Sequence, residues 1–298
     1  MGYSTYSTSN RNTKSISEGY NTKSVNQIFT QNVKREMHDS MNPNGVDKRE
    51  CLDSEEHPNA TPIQLYLDVT GSMEHIPHEM IKNGLPTLMG TLIQNGVKDA
   101  ALMFGAIGDH ECDSCPLQVA QFESGDTELD MWLTRTYLEN GGGGNAGESY
   151  LLAWYFGTNH VKTDAFDKRK QKGFIFTIGD EPCLTNLPIS AVKQIMGDMA
   201  KGQSTYTRDS LLKSAQKYNH VFHIHIEHRG RSCDSWWKEA LRQNLIEVTD
   251  HTTISKVISD IILSYQNTTN IETKIEQKVD VITDIEETKS DSVIPNML

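Results

Sequence analysis

Positive charge is scarce in this sequence. Its 298 residues carry 28 Lys and Arg against 40 Asp and Glu, a formal net charge of −12. Binding to a nucleic acid or an anionic membrane draws on basic patches, so neither is expected as the main partner. Long hydrophobic runs are missing too. No stretch approaches the roughly 18 apolar residues that cross a bilayer, and Met1-Gly2-Tyr3-Ser4-Thr5 lacks the charged-then-apolar pattern of a secretory signal. Tyr6 stands where N-myristoylation requires Ser or Thr. The five cysteines, Cys51, Cys112, Cys115, Cys183 and Cys233, are odd in number and scattered, which fits a reducing compartment better than a disulfide framework. A cytoplasmic protein is expected. There is no Ser-His-Asp order, no H-E-x-x-H and no P-loop Lys-Ser/Thr, so a binding protein is expected rather than an enzyme.

Apolar residues make up only 36 % of the chain, so part of its length is expected to lie outside a core. Sixteen of the first 32 residues are Ser, Thr or Asn and show no apolar period. Residues 1–59 therefore read as a low-complexity polar tail, disordered alone or ordered against a partner. Residues 267–298 are polar and acidic again. Ile271, Ile275, Val279, Ile282 and Ile285 are spaced like a helix face, leaving a loose tail or a short docking helix as the two readings.

Residues 60–266 alternate strands with helices. Apolar strands are expected at 65–67, 100–107, 173–179, 220–226 and 245–248, with a short edge strand near 117–122. Helical spacing links Ile81, Leu85, Leu88, Met89 and Leu92. Pro86 should kink or split that helix, and Asn95-Gly96 should end it. Further helices are expected around 129–138, 148–156, 190–200, 208–218, 234–243 and 254–262. Apolar strands separated by amphipathic helices imply a doubly wound, mainly parallel sheet with helices on both faces. Ligands then sit beyond the C-terminal strand ends, where Asp68, Asp109 and Asp180 all fall.

The stretch Asp68-Val69-Thr70-Gly71-Ser72 delivers one carboxylate and two hydroxyls onto a tight turn. Such hard oxygen donors suit Mg²⁺ or Mn²⁺; an ordinary strand-turn-helix junction with Thr70 or Ser72 as N-cap is the simpler reading. This motif resembles the D-x-S-x-S loop of the metal-ion-dependent adhesion site in von Willebrand factor A domains. The order of elements over about residues 63–266 is similar as well. The resemblance implies that Thr70 and Ser72 ligate the metal directly and that Asp68 acts through water. Gly141-Gly142-Gly143-Gly144-Asn145-Ala146-Gly147-Glu148 occupies the place of the family's second loop, with Asn145 where the family has Thr. Glu148 is the next oxygen donor in line. Thr177-Ile178-Gly179-Asp180-Glu181 resembles the third loop, whose Asp bonds metal-bound water.

The expected metal set is thus Asp68, Thr70, Ser72, Asn145, Glu148 and Asp180, and the resemblance implies metal-bridged recognition of a partner's carboxylate. Intracellular relatives often serve as adaptors beside AAA+ ATPases, so an ATPase or a large assembly is the implied partner. A scaffold component of a large particle and a metal-dependent hydrolase are the alternatives. Cys112-Asp113-Ser114-Cys115, with Cys183 and Cys233 also following strand ends, leaves a zinc site conceivable, although the second and fourth strands should flank the centre from opposite sides and separate these thiols. His223 and His225 share one strand face and read as core or surface residues; His228 follows them. Of Trp236 and Trp237, one should be buried and one exposed.

Overall fold

The computed structural model describes residues 6–73, 75–97, 99–139, 147–198, 204–227 and 232–267. Among these residues ten strands are formed: β1 Arg49–Cys51, β2 Thr61–Asp68, β3 Ala100–Ile107, β4 Leu117–Val119, β5 Val161–Thr163, β6 Gly173–Gly179, β7 Asn186–Pro188, β8 Thr205–Thr207, β9 Asn219–Ile226 and β10 Leu245–Val248. Six of them make the central sheet in the order β10-β9-β6-β2-β3-β4. Every pairing is parallel except β3 with β4. Successive strands thus run outward from β2 in one direction, then return to its other side and run outward again. The strand order reverses between β2 and β6, the position where such sheets open a crevice at their C-terminal edge. Two small sheets, β1 with β5 and β7 with β8, lie outside it.

The helices are α1 Thr8–Ser17, α2 Val25–Ile28, α3 Gln31–Lys34, α4 Ile76–Glu79, α5 Leu85–Gln94, α6 Asp126–Thr134, α7 Tyr150–Asn159, α8 Asp164–Arg169, α9 Ile189–Met196, α10 Arg208–Tyr218 and α11 Ser235–Leu241. Residues 254–267 form a closing helix, α12. Strand alternation sorts the core into two layers. Leu65, Leu67, Phe104, Phe176 and Ile224 face α5, α6 and α12, whereas Tyr66, Met103, Ile175 and Val221 face α7, α9, α10 and α11. The α7 stretch Tyr150–Gly157 is buried on every side, since α10 covers the flank turned away from the sheet. Pro86 acts as expected: the helix after Asp68 breaks into α4, a π-helical turn Met80–Gly84, and α5 with proline in its first turn. Gly96 ends it at φ +98°.

Residues 6–59, expected as a polar tail, are helical in part and packed on the sheet. Tyr20, Ile28, Phe29 and Met41 enter the core on the α5 and α6 side. Arg11 forms an ion pair with the buried Asp130, and Tyr20 Oη donates to the same carboxylate at 2.7 Å. A few large anchors replace periodicity here. Burying each is worth about 1.5–3 kcal/mol, which offsets the ordering of the polar stretches between them. The expected C-terminal tail lies beyond residue 267, outside the described residues.

Candidate metal centre

Three strand ends meet at the crevice. β2 ends in Asp68, paired with Ile107 at the end of β3, while Leu67 pairs with Ile178 near the end of β6. The register thus brings residues 68, 107–109 and 179–180 to one edge. Gly179 is required for this approach, because a Cβ there would overlap the Tyr150 hydroxyl and sit 2.9 Å from Asp68 Cβ. Gly108 plays the same part beside Asp113, whose Oδ2 would lie 2.5 Å from an added Cβ.

From these ends a continuous chain of oxygens runs across the crevice. The Thr70 amide and hydroxyl donate to Asp68 Oδ1 at 2.9 and 2.7 Å. The Thr70 and Ser72 hydroxyls are 3.2 Å apart, and Ser72 donates to Asp180 Oδ1 at 2.7 Å. On the other side, Tyr150 Oη donates to Asp68 Oδ2 at 3.1 Å. The two hydroxyls therefore bridge two carboxylates. Asp68, Thr70 and Asp180 are buried, while Ser72 is partly open to solvent.

Glu148 joins from a third segment. Its amide donates to the Pro182 carbonyl, its own carbonyl accepts from the Leu184 amide, and it bridges Cys183. The next residue, Ser149, accepts from the His110 amide at 2.9 Å, and its amide donates to the Gly108 carbonyl at 3.2 Å. The Asp109, Glu148 and Asp180 loops are thus pinned to one another by backbone. Beneath them lies an aromatic layer: Tyr150 meets the rings of His223 and Trp237 at 5.0 and 5.5 Å, and His223 stacks on Trp237 at 3.7 Å. This layer is fully buried, and burial holds the His223 imidazole well below its usual range. Trp237 is the buried member of its pair; Trp236 is partly exposed.

The electrostatics of this edge are one-sided. Burial pushes the Asp68 carboxyl up, and the Asp180 charge adds to it; the Thr70 and Tyr150 hydrogen bonds oppose both. Burial likewise raises Glu148, the acids Asp68, Asp113 and Asp109 add to it, and a hydrogen bond with Thr70 opposes them. Glu148 Oε2 and Asp109 Oδ2 are buried and take no hydrogen bond among the described residues. Buried carboxylate oxygens of this kind are costly unless a positive charge meets them. The donor set is all oxygen, so a hard divalent cation fits it. Asp68, Thr70, Ser72, Glu148 and Asp180 are the residues that would hold one. Asn145 and the Gly141–Gly144 run lie outside the described residues.

Asp109 and Tyr150 were not in the metal set expected from sequence. Asp109 was visible as a third acid at a strand end. Tyr150 gave no signal beyond a phenol at the head of an apolar helix. No disulfide joins the five cysteines, and those after strand ends do not gather: Cys112 and Cys115 follow β3, Cys233 follows β9, and the β2-β6 pair lies between. His223 and His225 are both core residues; His228 lies outside the described residues. An open cleft of about 680 Å³, lined by residues including Thr61, Lys172, His220 and Tyr265, is at the opposite, N-terminal edge of the strands and touches none of these carboxylates.

No family model matches the sequence, and no curated protein matches it. Solved structures resemble its fold. The pilus adhesin SpaC of Lactobacillus rhamnosus GG, in its open conformation, aligns with a TM-score of 0.50 at 11 % identity over 71 % of this chain. Proximal thread matrix protein 1 of the mussel byssus aligns with a TM-score of 0.44 at 9 % identity over 72 % of it. A second structure of that matrix protein, with a zinc-occupied MIDAS motif, gives 0.44 at 11 % identity. The chain spans 31 % of the adhesin and just under half of the matrix protein. What the likeness to the adhesin establishes is the fold alone, a doubly wound, mainly parallel α/β sheet.

Proposed function

We propose that the chain is a von Willebrand factor A-type module that binds a divalent cation at the Asp68–Asp180 edge and, through it, a carboxylate of a partner protein. The observation that carries this reading is the run of oxygens Asp68–Thr70–Ser72–Asp180, with the buried Glu148 Oε2 and Asp109 Oδ2 beside it, which take no hydrogen bond among the described residues. A cation held by hydroxyls and few carboxylates keeps an affinity for one further carboxylate. The chain's own residues do the rest. Thr70 and Ser72 aim their hydroxyls along the edge, Tyr150 orients Asp68, and the partly open side of Ser72 gives a partner access.

All-oxygen donors favour Mg²⁺ or Mn²⁺ over softer metals. The partner of this reading is an acidic residue on a cytoplasmic assembly such as an AAA+ ATPase, and the role is binding rather than catalysis. No helix among the described residues is long and apolar enough to cross a membrane.

Calorimetric titration with Mg²⁺ and Mn²⁺ tests the site, on the wild type and on Asp68→Ala with Asp180→Ala. The expected result is binding at millimolar concentration or tighter in the wild type and none in the double variant. Capture of a partner is then expected to depend on the metal and to be lost with a chelator. A wild type that takes up neither cation overturns the reading and leaves the alternative of a scaffold whose crevice binds nothing.

A further inference from the structure

A second cluster of donors lies outside this crevice. His75 precedes α4 and Glu79 ends it, a spacing of four that puts both on one helix face. His251 opens a 3₁₀ turn just before α12, capped by Asp250, whose carboxylate accepts from the Thr252 amide at 2.9 Å. His251 Nε2 is 2.7 Å from Glu79 Oε2, and His75 Nε2 is 3.9 Å from Glu79 Oε1. The two imidazoles stand edge to face at 5.7 Å. One donor atom from each residue lies within 4.8 Å of the other two, and among the described residues these are the His, Cys, Asp and Glu side chains gathered so closely. Tetrahedral zinc holds nitrogen and oxygen at about 2.0–2.2 Å, hence its ligands roughly 3.3–3.6 Å from each other. The separations in this trio, from 2.7 Å to at most 4.8 Å, bracket that spacing. His75 is exposed and the other two are partly so, leaving room for water as a fourth ligand.

We propose that His75, Glu79 and His251 form a site for an imidazole-preferring divalent metal, zinc above all, which ties the helix after the Asp68 loop to the start of the closing helix. Two imidazoles and one carboxylate select zinc, nickel or copper and disfavour magnesium. The site therefore differs in kind from the oxygen edge, and its existence does not depend on that edge binding anything.

The surroundings fit a clamp. Directly after Glu79 the chain takes the π-helical turn Met80–Gly84, a rare conformation that recurs at functional positions. Ser255 Oγ donates to the Gly84 carbonyl at 2.5 Å, so the same two segments already meet one turn further on. Glu79 and His251 are 172 positions apart. A metal joining them closes a long loop, the case in which a cross-link most restricts the unfolded chain.

The test is zinc titration of the full chain in excess Mg²⁺, which fills the oxygen edge, with Co²⁺ absorption read in parallel. One zinc equivalent is expected in the wild type and in Asp68→Ala with Asp180→Ala. His75→Ala with His251→Ala is expected to bind at least about a hundredfold more weakly and to lose the zinc-induced rise in melting temperature. Glu79→Gln keeps a hydrogen-bonding partner for His251 without the charge, and is expected to weaken zinc at least about tenfold while folding as the wild type does. Unchanged zinc affinity in the Glu79 variant overturns the proposal. So does zinc binding lost only in the Asp68 and Asp180 variant, or a thiolate-to-cobalt charge-transfer band, which would assign the metal to cysteine.

Discussion

Asp130 and Asp68 are both buried carboxylates, yet their surroundings are opposite. Asp130 faces the Arg11 guanidinium, the Lys14 ammonium at 3.1 Å and the Tyr20 hydroxyl at 2.7 Å. Its charge is neutralised within the chain, and it anchors the N-terminal arm. Asp68 faces two hydroxyls and one amide, and the neighbouring charges are those of Asp180 and Glu148. A buried acid with its own cation is structural. A buried acid among other acids is an incomplete arrangement, which in the proposed function a cation from solution would complete.

The largest expected effect lies on the Asp130 side. Arg11→Ala leaves a buried carboxylate short of its main partner, and such losses cost about 3–5 kcal/mol. Urea denaturation should show that drop in both the presence and the absence of Mg²⁺. A change under about 1 kcal/mol would mean that Lys14 and Tyr20 suffice, and that the arm is held by Tyr20, Phe29 and Met41 alone.

On the Asp68 side the sign reverses. Glu148→Gln removes a buried carboxyl that has no cationic partner among the described residues and that folding must hold protonated, so the cation-free protein is expected to gain about 1 kcal/mol while losing its response to Mg²⁺. The pH dependence follows the same logic. Asp68 is pushed up to about 7 and Glu148 to about 10, so the folded state favours their protonated forms. That stability is full below the usual carboxylate range and is lost as pH rises through the raised values. Without divalent cations the melting temperature should therefore fall from about pH 5 to about pH 8, and less steeply in the Glu148 variant. Added Mg²⁺ should restore most stability at the alkaline end, by about 2.7 kcal/mol at a hundred times its dissociation constant. A wild type whose stability rises over that interval would show that the acids are compensated after all.

The two sides also differ in how far the sequence disclosed them. Asp68, Thr70, Ser72 and Asp180 sit directly after alternating or continuous apolar strands, and a parallel sheet sends all such ends to one edge. Pro86 marked the split in the following helix for an equally local reason. The arm had no such period. Tyr20, Phe29 and Met41 are single anchors in polar surroundings, and Arg11 finds Asp130 across 119 positions. The pairing of His251 with Glu79 is hidden in the same way, since it depends on where the closing helix docks. What a strand or helix dictates locally is legible; what two distant segments make by meeting is not.

Tyr150→Phe probes the border between the two kinds of environment and should have the smallest effect. Phenylalanine keeps the ring contacts with His223 and Trp237 and gives up only the 3.1 Å bond to Asp68 Oδ2. One such bond is worth about 0.5–1.5 kcal/mol net between neutral groups and about 1.5–3 kcal/mol to a charged one. The cation-free protein should therefore lose little, since the hydroxyl supports an acid that the fold already favours protonated. Mg²⁺ affinity should fall up to about tenfold, because Asp68 is then oriented from Oδ1 alone, and partners behind metal ligands commonly carry effects of that size. If denaturation instead shows a loss as large as that of Arg11→Ala, with Mg²⁺ affinity unchanged, then Asp68 is a second Asp130: a carboxylate that holds the fold and needs no cation.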